Sequence, residues 1–435
     1  MEKLAEQKII EDLLPQKFGK QGTIWVICLL AVCALGAFAY GRQLNYGLEV
    51  TAMRDYVSWG IYISNFVFFV AISLVGSLIT AVLRLTDVNW STPLTRIAEI
   101  IAVSAICFAG LIIIVDMGRP DRFYNLFLHG RLQSPIIWDV IVITTYLFIS
   151  ILLLYFPLLP DLKIMIEHKE RNGKWLQKLY VFLGSFWKNK PEQFHISEKA
   201  INILSISIIP VAFAIHTVTS WLFATTYRPG WDSTNFGAYF ISGAFLVGSG
   251  AVLIAMYVFR THYKLEKYIT DSHFDKMGKV VVLLALIYLY FNVNEFLVPA
   301  FKMKKSEEEH LMGLFTGEFA AIFWFAISTA MIIPICILLF KKGRRPKAAF
   351  VAGILVVVGS WFKRYLIVTP TLLHPFLPMS NVPESYRHYI PTWEEWAIAG
   401  GSLAGALLIV TIFARIFPII PIHETITEIE SNEKA

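Results

Sequence analysis

The chain has 435 residues, of which 56% are hydrophobic and only 16% charged. A water-soluble domain of this size could not hide that much apolar surface in one core, so the solvent for most of it is lipid. The net charge of +6 is ordinary for an inner-membrane protein and gives no reason to invoke nucleic acid as a partner.

A spanning helix needs roughly 20 mainly apolar residues. About ten such windows occur, near 22 to 40, 58 to 83, 97 to 116, 136 to 159, 199 to 225, 236 to 259, 277 to 300, 313 to 340, 347 to 371 and 394 to 417. The expected fold is an all-α polytopic membrane protein with its helices in two bundles. Its parts are a cytoplasmic leader (1–21), the first transmembrane helices of bundle one (22–159), a cytoplasmic amphipathic linker (160–198), the remaining transmembrane helices including bundle two (199–417) and a cytoplasmic tail (418–435).

The leader carries Lys3, Lys8, Lys17 and Lys20. Ala37-Phe38-Ala39 has the form of a signal-peptide cleavage site, but the first window is read as a retained span. Basic loops resist translocation. The leader, the lysine-rich segment 161 to 200, the loop from Arg260 to Lys279 and Lys341-Lys342-Gly343-Arg344-Arg345 are all separated by an even number of spans, which puts both termini in the cytoplasm. Loops 41 to 57, 117 to 135, 226 to 235, 301 to 312 and 372 to 393 then face outward.

On the second span Asn65, Ser73, Ser77, Thr80 and Arg84 recur along one helical stripe. For the serines alone, close packing through small residues is the favoured account. Asp116 ends the third span in Asp116-Met117-Gly118-Arg119-Pro120, where a carboxylate can cap the helix, pair with Arg119, Arg122 or Arg131, or take a proton. Asp139 lies inside the apolar run that follows Trp138, with Tyr146 and Ser150 below it, and desolvation there suits a proton acceptor. In the linker, Trp175, Leu176, Leu179 and Tyr180 mark an amphipathic helix on the bilayer surface.

His216 shares a face of the fifth span with Asn202, Ser205 and Thr219. It is either a hydrogen-bonded packing residue or a partner for a quinone oxygen. No second histidine at matching depth completes a haem pair, and Cys28, Cys33, Cys107 and Cys336 lack the spacing that holds an iron–sulfur cluster or zinc. A redox role therefore rests on a diffusible cofactor or a partner subunit. Further on, Asn292, Glu295, Glu318, Lys363 and Arg364 all count to the outer half of the membrane, where they form either a structural charge network or a proton path.

Several stretches together resemble the NrfD/PsrC family of polysulfide-reductase-like membrane subunits. They are Ile63-Ser64-Asn65-Phe66-Val67-Phe68-Phe69, Gly118-Arg119-Pro120, Ser134-Pro135 with Trp138-Asp139-Val140 and Thr145-Tyr146, His216-Thr217-Val218 with Ser220, and Pro229-Gly230-Trp231 with Tyr239-Phe240. Lys363-Arg364-Tyr365, Leu373-His374 and Phe376-Leu377-Pro378 extend the likeness toward the larger ten-span members, the ActC subunit of alternative complex III and DsrP-like subunits. Where ActC-like members carry His-Val before Gly-Arg-Pro this chain has Asp116-Met117, and Leu222 stands where an acid is expected, so a proton-accepting role is expected to shift to Asp116.

The resemblance implies a quinol or quinone site, with menaquinone as its ligand, in the first bundle near its outer face. Asp139, His216 and Asp116 would be catalytic there, and Asn65, Ser73, Tyr146 and Arg119 would hold the quinone. Glu295, Glu318, Lys363 and Arg364 remain the proton path or structural network. The implied setting is a bacterial or archaeal cytoplasmic membrane, with a respiratory oxidoreductase complex exchanging electrons between quinol and an outward-facing ferredoxin-like iron–sulfur subunit. Multihaem cytochrome c and other membrane subunits are further family partners, and proton translocation a further family activity. A secondary transporter is the rival reading, since ten spans with intramembrane charges also suit a carrier.

Overall fold

The structure, a computed structural model, describes residues 2–16, 18–85, 92–168, 173–302, 304–377 and 379–434, and within them no side chain is described at 2–5, 75, 77–80, 82–84 and 430–434. Lys3 and Lys17 of the leader, Ser77, Thr80 and Arg84 of the expected stripe, and Pro378 therefore lie outside the described side chains.

Among the described residues the regular structure is helical throughout. Along the chain run α1 (Glu2–Leu13), α2 (Lys20–Tyr46), α3 (Ile61–Leu85), α4 (Thr92–Asp116), α5 (Asn125–Leu128), α6 (Pro135–Tyr155), α7 (Leu158–Glu167), α8 (Lys174–Leu183) and α9 (Pro191–Ala224). They are followed by α10 (Phe236–His262), α11 (Asp271–Lys302), α12 (Lys305–Phe315), α13 (Ala320–Ile327), α14 (Ile333–Leu338), α15 (Pro346–Leu373), α16 (Trp393–Ile416) and α17 (Ile422–Lys434). A π-helical turn, Ser328–Ile332, joins α13 to α14 into one rod.

Nine helical stretches among the described residues are long and apolar enough to cross a membrane: α2, α4, α6, α9, α10, α11, the α13–α14 rod, α15 and α16. The remaining expected span, near 58 to 83, is the 25-residue α3, whose stretch Ile61–Leu74 is apolar. Helix is what such sequences must form, because lipid offers no partner to a free backbone N–H or C=O. Proline opens α6, α9 and α15 at positions where its missing N–H costs nothing. Thr392 and Glu395 open α16 with a reciprocal capping box.

α3, α4, α6 and α9 pack as one group, and α10, α11, the α13–α14 rod and α15 as a second. The groups meet where α3 packs on α10 and α15, while α2 and α16 pair and lie against α4. The segment 160–198 holds α7, α8 and the start of α9, and α9 continues out of it to pack on α6 and α3. The helix after the segment thus completes the first group. α8 exposes Trp175 and Phe182 while Tyr180 on its other side is buried and donates to the Ile416 carbonyl at 2.7 Å.

Each end of the bundle has a buried lock. At the basic end, Arg96 and Asp161 form an ion pair of 2.6 Å with both side chains fully buried. Arg96 also donates to the carbonyls of Pro418 and Pro157, and Asp161 accepts the Ile422 and His423 N–H groups that open α17. At the other end Glu395 accepts from the Ala52 N–H at 2.8 Å, the Thr392 N–H at 2.9 Å and the Tyr389 hydroxyl at 2.6 Å. Burial and the Glu395 charge push the Tyr389 phenol far above its usual range, so it stays protonated and donates to Glu395 while accepting the Ile61 N–H at the start of α3. Gly60 is what lets the ring in, since a Cβ there would stand 2.0 Å from the Tyr389 oxygen. The lock thereby fixes the first turn of α3, which carries Asn65.

Candidate functional site

Three helices bring polar groups toward the end of the first group that holds Glu395. Asn65 lies four residues inside α3, Asp139 four residues inside α6 and His216 eight residues before the end of α9. At 1.5 Å per residue these are depths of about 6, 6 and 12 Å. All three are at most 3% exposed, and α9 packs against both α3 and α6.

Asp139 and α9 are joined through Thr219, whose hydroxyl lies 2.7 Å from Asp139 Oδ1 and 2.8 Å from the Ile215 carbonyl. One hydroxyl proton cannot serve both acceptors at once. With the carboxylate ionised the proton goes to Asp139; with Asp139 protonated the acid donates to the hydroxyl, which donates to Ile215. The triad therefore accommodates both protonation states of Asp139, as a group that takes up and releases protons requires.

His216 is one turn from Thr219. Its Nδ1 lies 3.3 Å from the Ala212 carbonyl, which can only accept, so in the neutral ring Nδ1 bears the hydrogen and Nε2 the lone pair. Nε2 is buried with no partner. Asn65 accepts from the Trp361 indole at 2.6 Å through Oδ1, while its Nδ2 is also buried and unpartnered. Orphaned buried polar atoms are rare in native proteins and call for an explanation. His216 Nε2 thus offers a lone pair, and Asn65 Nδ2 a donor, to an oxygen-bearing group that reaches them.

Toward the near end an aromatic wall covers this region. Phe223, on α9, lies 4.9 Å from the Trp231 ring, 5.8 Å from Trp59 and 5.7 Å from Phe240, and Trp231 is tied to α15 by its indole donating to the Ile367 carbonyl at 2.8 Å. Deeper in the group, the Tyr146 hydroxyl donates to the Ser73 carbonyl at 2.5 Å, and Ser73 turns its own hydroxyl back onto Val70. Tyr146 and Ser73 thus bind α6 to α3.

Asp116 and Arg119 are placed differently. The Asp116 Oδ1 is buried without a partner, and the groups acting on it electrostatically are Glu395 and Tyr62, on the side of α4 that faces α2, α3 and α16. The ion pair with Arg119 does not form, because Arg119 turns outward and clasps Asp121 at 2.9 Å with both side chains well exposed. Nothing brings Arg119 to Asp139 or His216.

The four residues expected to share one charge network are divided among three places. Glu318 is exposed and faces His388 at 4.0 Å. Lys363 and Arg364 are adjacent on α15, so they leave the helix about 100° apart. Lys363 enters the second group, its Nζ 4.6 Å from the centre of the Phe296 ring and 5.0 Å from that of Phe323. Arg364 lies over Phe240 at 5.2 Å. Among the described residues neither cation has a carboxylate within 4.0 Å, and aromatic faces take the place of the expected ion pairs.

Glu295 and Lys363 do share a cavity of about 40 Å³, together with Tyr239, Glu307, His310 and Thr371. That is room for a few water molecules. The unpartnered Glu295 Oε1, Glu307 Oε2 and His310 Nδ1 are the groups such water would satisfy. Burial, and then the neighbouring His374, hold the His310 imidazole at about 3, so it is neutral across the physiological range.

Glu307 and His310 were not singled out from the sequence. Their signal was a short amphipathic helix, α12, in what reads as an outer loop: Glu307, His310, Leu311 and Leu314 recur at three- and four-residue steps and are the residues of α12 that are buried. Thr219 was noticed only as a neighbour of His216, and Trp361 not at all. Among the described residues no group of three or more His, Cys, Asp or Glu side chains could hold a metal ion.

Residues 49–375 match the family described as Polysulphide reductase, NrfD. A selenate reductase subunit of Mesobacillus selenatarsenatis is 24% identical over 419 residues, covering 92% of this chain and 96% of that protein. The menaquinone reductase integral membrane subunit of Nitratidesulfovibrio vulgaris is 24% identical over 429 residues, 94% of each chain. The Hdr-like menaquinol oxidoreductase integral membrane subunit of Archaeoglobus fulgidus is 24% identical over 409 residues, 91% of this chain and 93% of that protein.

Proposed function

From the premise that the chain belongs to the NrfD polysulphide reductase family, and is thus a multi-pass integral membrane protein, we propose that it is the quinol-handling subunit of a respiratory oxidoreductase complex. The observation that carries the reading is the buried set of Asp139, Thr219 and His216, with an unpartnered Nε2, and the unpartnered Nδ2 of Asn65 on α3, against which α9 packs. Two proton-accepting groups and a hydrogen-bond donor in an apolar, aromatic-walled region suit a two-proton, two-oxygen aromatic ligand.

The relatives named for menaquinone or menaquinol support menaquinone as that ligand. Quinol is substrate here, and its oxidation needs an electron acceptor within tunnelling reach. We assign that role to a ferredoxin-like iron–sulfur subunit docked over the end that carries Glu395 and the aromatic wall, which the distribution of basic loops makes the outward end. Protons taken by Asp139 and His216 would be released on the same side.

Purification of the native complex in mild detergent tests the reading. The expected result is co-purification with an iron–sulfur subunit and quinol oxidation that stops when that subunit is stripped away. Isolation of this chain as a lone, stable protein that oxidises quinol at the full rate contradicts it.

A further inference from the structure

Arg364 is a costly residue to leave as it stands. Its side chain is 1% exposed, its Nε and Nη1 have no hydrogen-bond partner, and among the described residues no carboxylate lies within 4.0 Å. The Phe240 ring covers one face of the guanidinium, 5.2 Å from its centre. That contact leaves the in-plane N–H groups unused. A buried charge without a counter-charge or acceptor is strongly unfavourable, so a chain that keeps one has a reason beyond stability.

The surroundings are built for this head group. Gly243 on α10 faces it, and a Cβ there would stand 2.9 Å from Nη2 and 2.7 Å from the Tyr288 ring. The Arg364 charge reaches His216 on α9. One turn earlier on α15, Trp361 holds Asn65 of α3. The fork therefore belongs to the same junction of α3, α9, α10 and α15 as the proposed quinol groups.

We propose that Arg364 is the anion-holding group of the quinol pocket, receiving on its free N–H groups the ring oxygen of a hydroquinone as that oxygen loses its proton. The inference rests on the reading of the pocket given above. In the step it serves, one O–H bond of the hydroquinone breaks, the electron pair stays on oxygen, and the proton passes to the lone pair on His216 Nε2. The fixed guanidinium offers donors where negative charge develops, and a planar fork directs them in a way an ammonium does not. No electron moves in this step, so no oxidant is required.

The test is binding of 2-heptyl-4-hydroxyquinoline N-oxide, a planar quinol analogue with an ionisable oxygen, to the detergent-solubilised complex, read by quenching of its fluorescence. Arg364→Met should weaken binding at least tenfold, Arg364→Lys should fall between, and Gly243→Ala should weaken it by displacing the fork while keeping the charge. The unliganded Arg364→Met complex should melt at or above the wild-type temperature, because it sheds an unpaired buried charge. A lower melting temperature, failure to assemble or unchanged binding would each show that Arg364 is structural, and each overturns the proposal. Those results leave the pocket itself standing, whereas absence of binding by the wild type removes the pocket and the Arg364 role together.

Discussion

Replacement of Asp139 by Asn, or of His216 by Ala, should lower quinol oxidation by the assembled complex by about 10² to 10⁴, the usual cost of losing a positioned proton acceptor. At 1.36 kcal/mol per decade this is about 3 to 5 kcal/mol of barrier. Asn keeps the shape of Asp139 and can still accept from Thr219, so folding should survive. What it loses is the ability to alternate between the two hydrogen-bond patterns around the Thr219 hydroxyl. The His216→Ala variant loses the buried Nε2 lone pair, which has no partner of its own within the protein. Thr219→Val should give a smaller loss, since it removes a relay and leaves both proton acceptors. Turnover of the purified complexes, normalised to the amount of this subunit, is the measurement. Normal turnover in both Asp139→Asn and His216→Ala would place the chemistry elsewhere.

The second large effect is on stability. Asp161→Ala leaves the Arg96 guanidinium fully buried without its partner at 2.6 Å and strips the acceptor from the first N–H groups of α17. Breaking one side of a buried pair costs about 3 to 5 kcal/mol. Arg96→Met should cost less, because Asp161 keeps the Ile422 and His423 N–H groups and remains partly satisfied. The double variant should be more stable than Asp161→Ala alone, since it removes the stranded cation as well. Thermal unfolding in detergent reads all three. Equal melting of Asp161→Ala and wild type would mean that this lock contributes nothing.

The spans were legible from the sequence because lipid imposes one rule on every crossing segment, a long apolar helix, and composition alone reveals where that rule is met. The grouping of side chains was legible where helix period and depth suffice. Asn65, Asp139 and His216 sit at similar depth near one end, and the structure brings their helices together.

What failed was partner choice. Depth counting put Lys363, Arg364, Glu295 and Glu318 in one layer, but it carries no azimuth, and adjacent residues on α15 turn to different neighbours, Lys363 to Phe296 and Phe323 and Arg364 to Phe240. Glu318 follows the same logic in another form. It precedes the first turn of α13 and stays exposed at the surface, where it faces His388. Arg119 gave a misleading signal because Asp121, two residues on, offers a partner at the surface, while the carboxyl Oδ1 of Asp116, three residues before it, is buried. The Arg96–Asp161 lock was invisible for the same reason: its partners are 65 residues apart, and only packing sets them face to face.

In the proposed function quinol is handled between α3, α6 and α9, and the small cavity of the second group, with room for a few water molecules, is a separate feature. The most direct measurement is photolabelling of the native complex with an azido-menaquinone, followed by peptide mass spectrometry of this chain. The account predicts labels on the segments around Asn65, Asp139 and His216, lost when excess menaquinol competes. Labels confined to the segments carrying Glu295, His310 and Lys363, and equally competed by menaquinol, would contradict it.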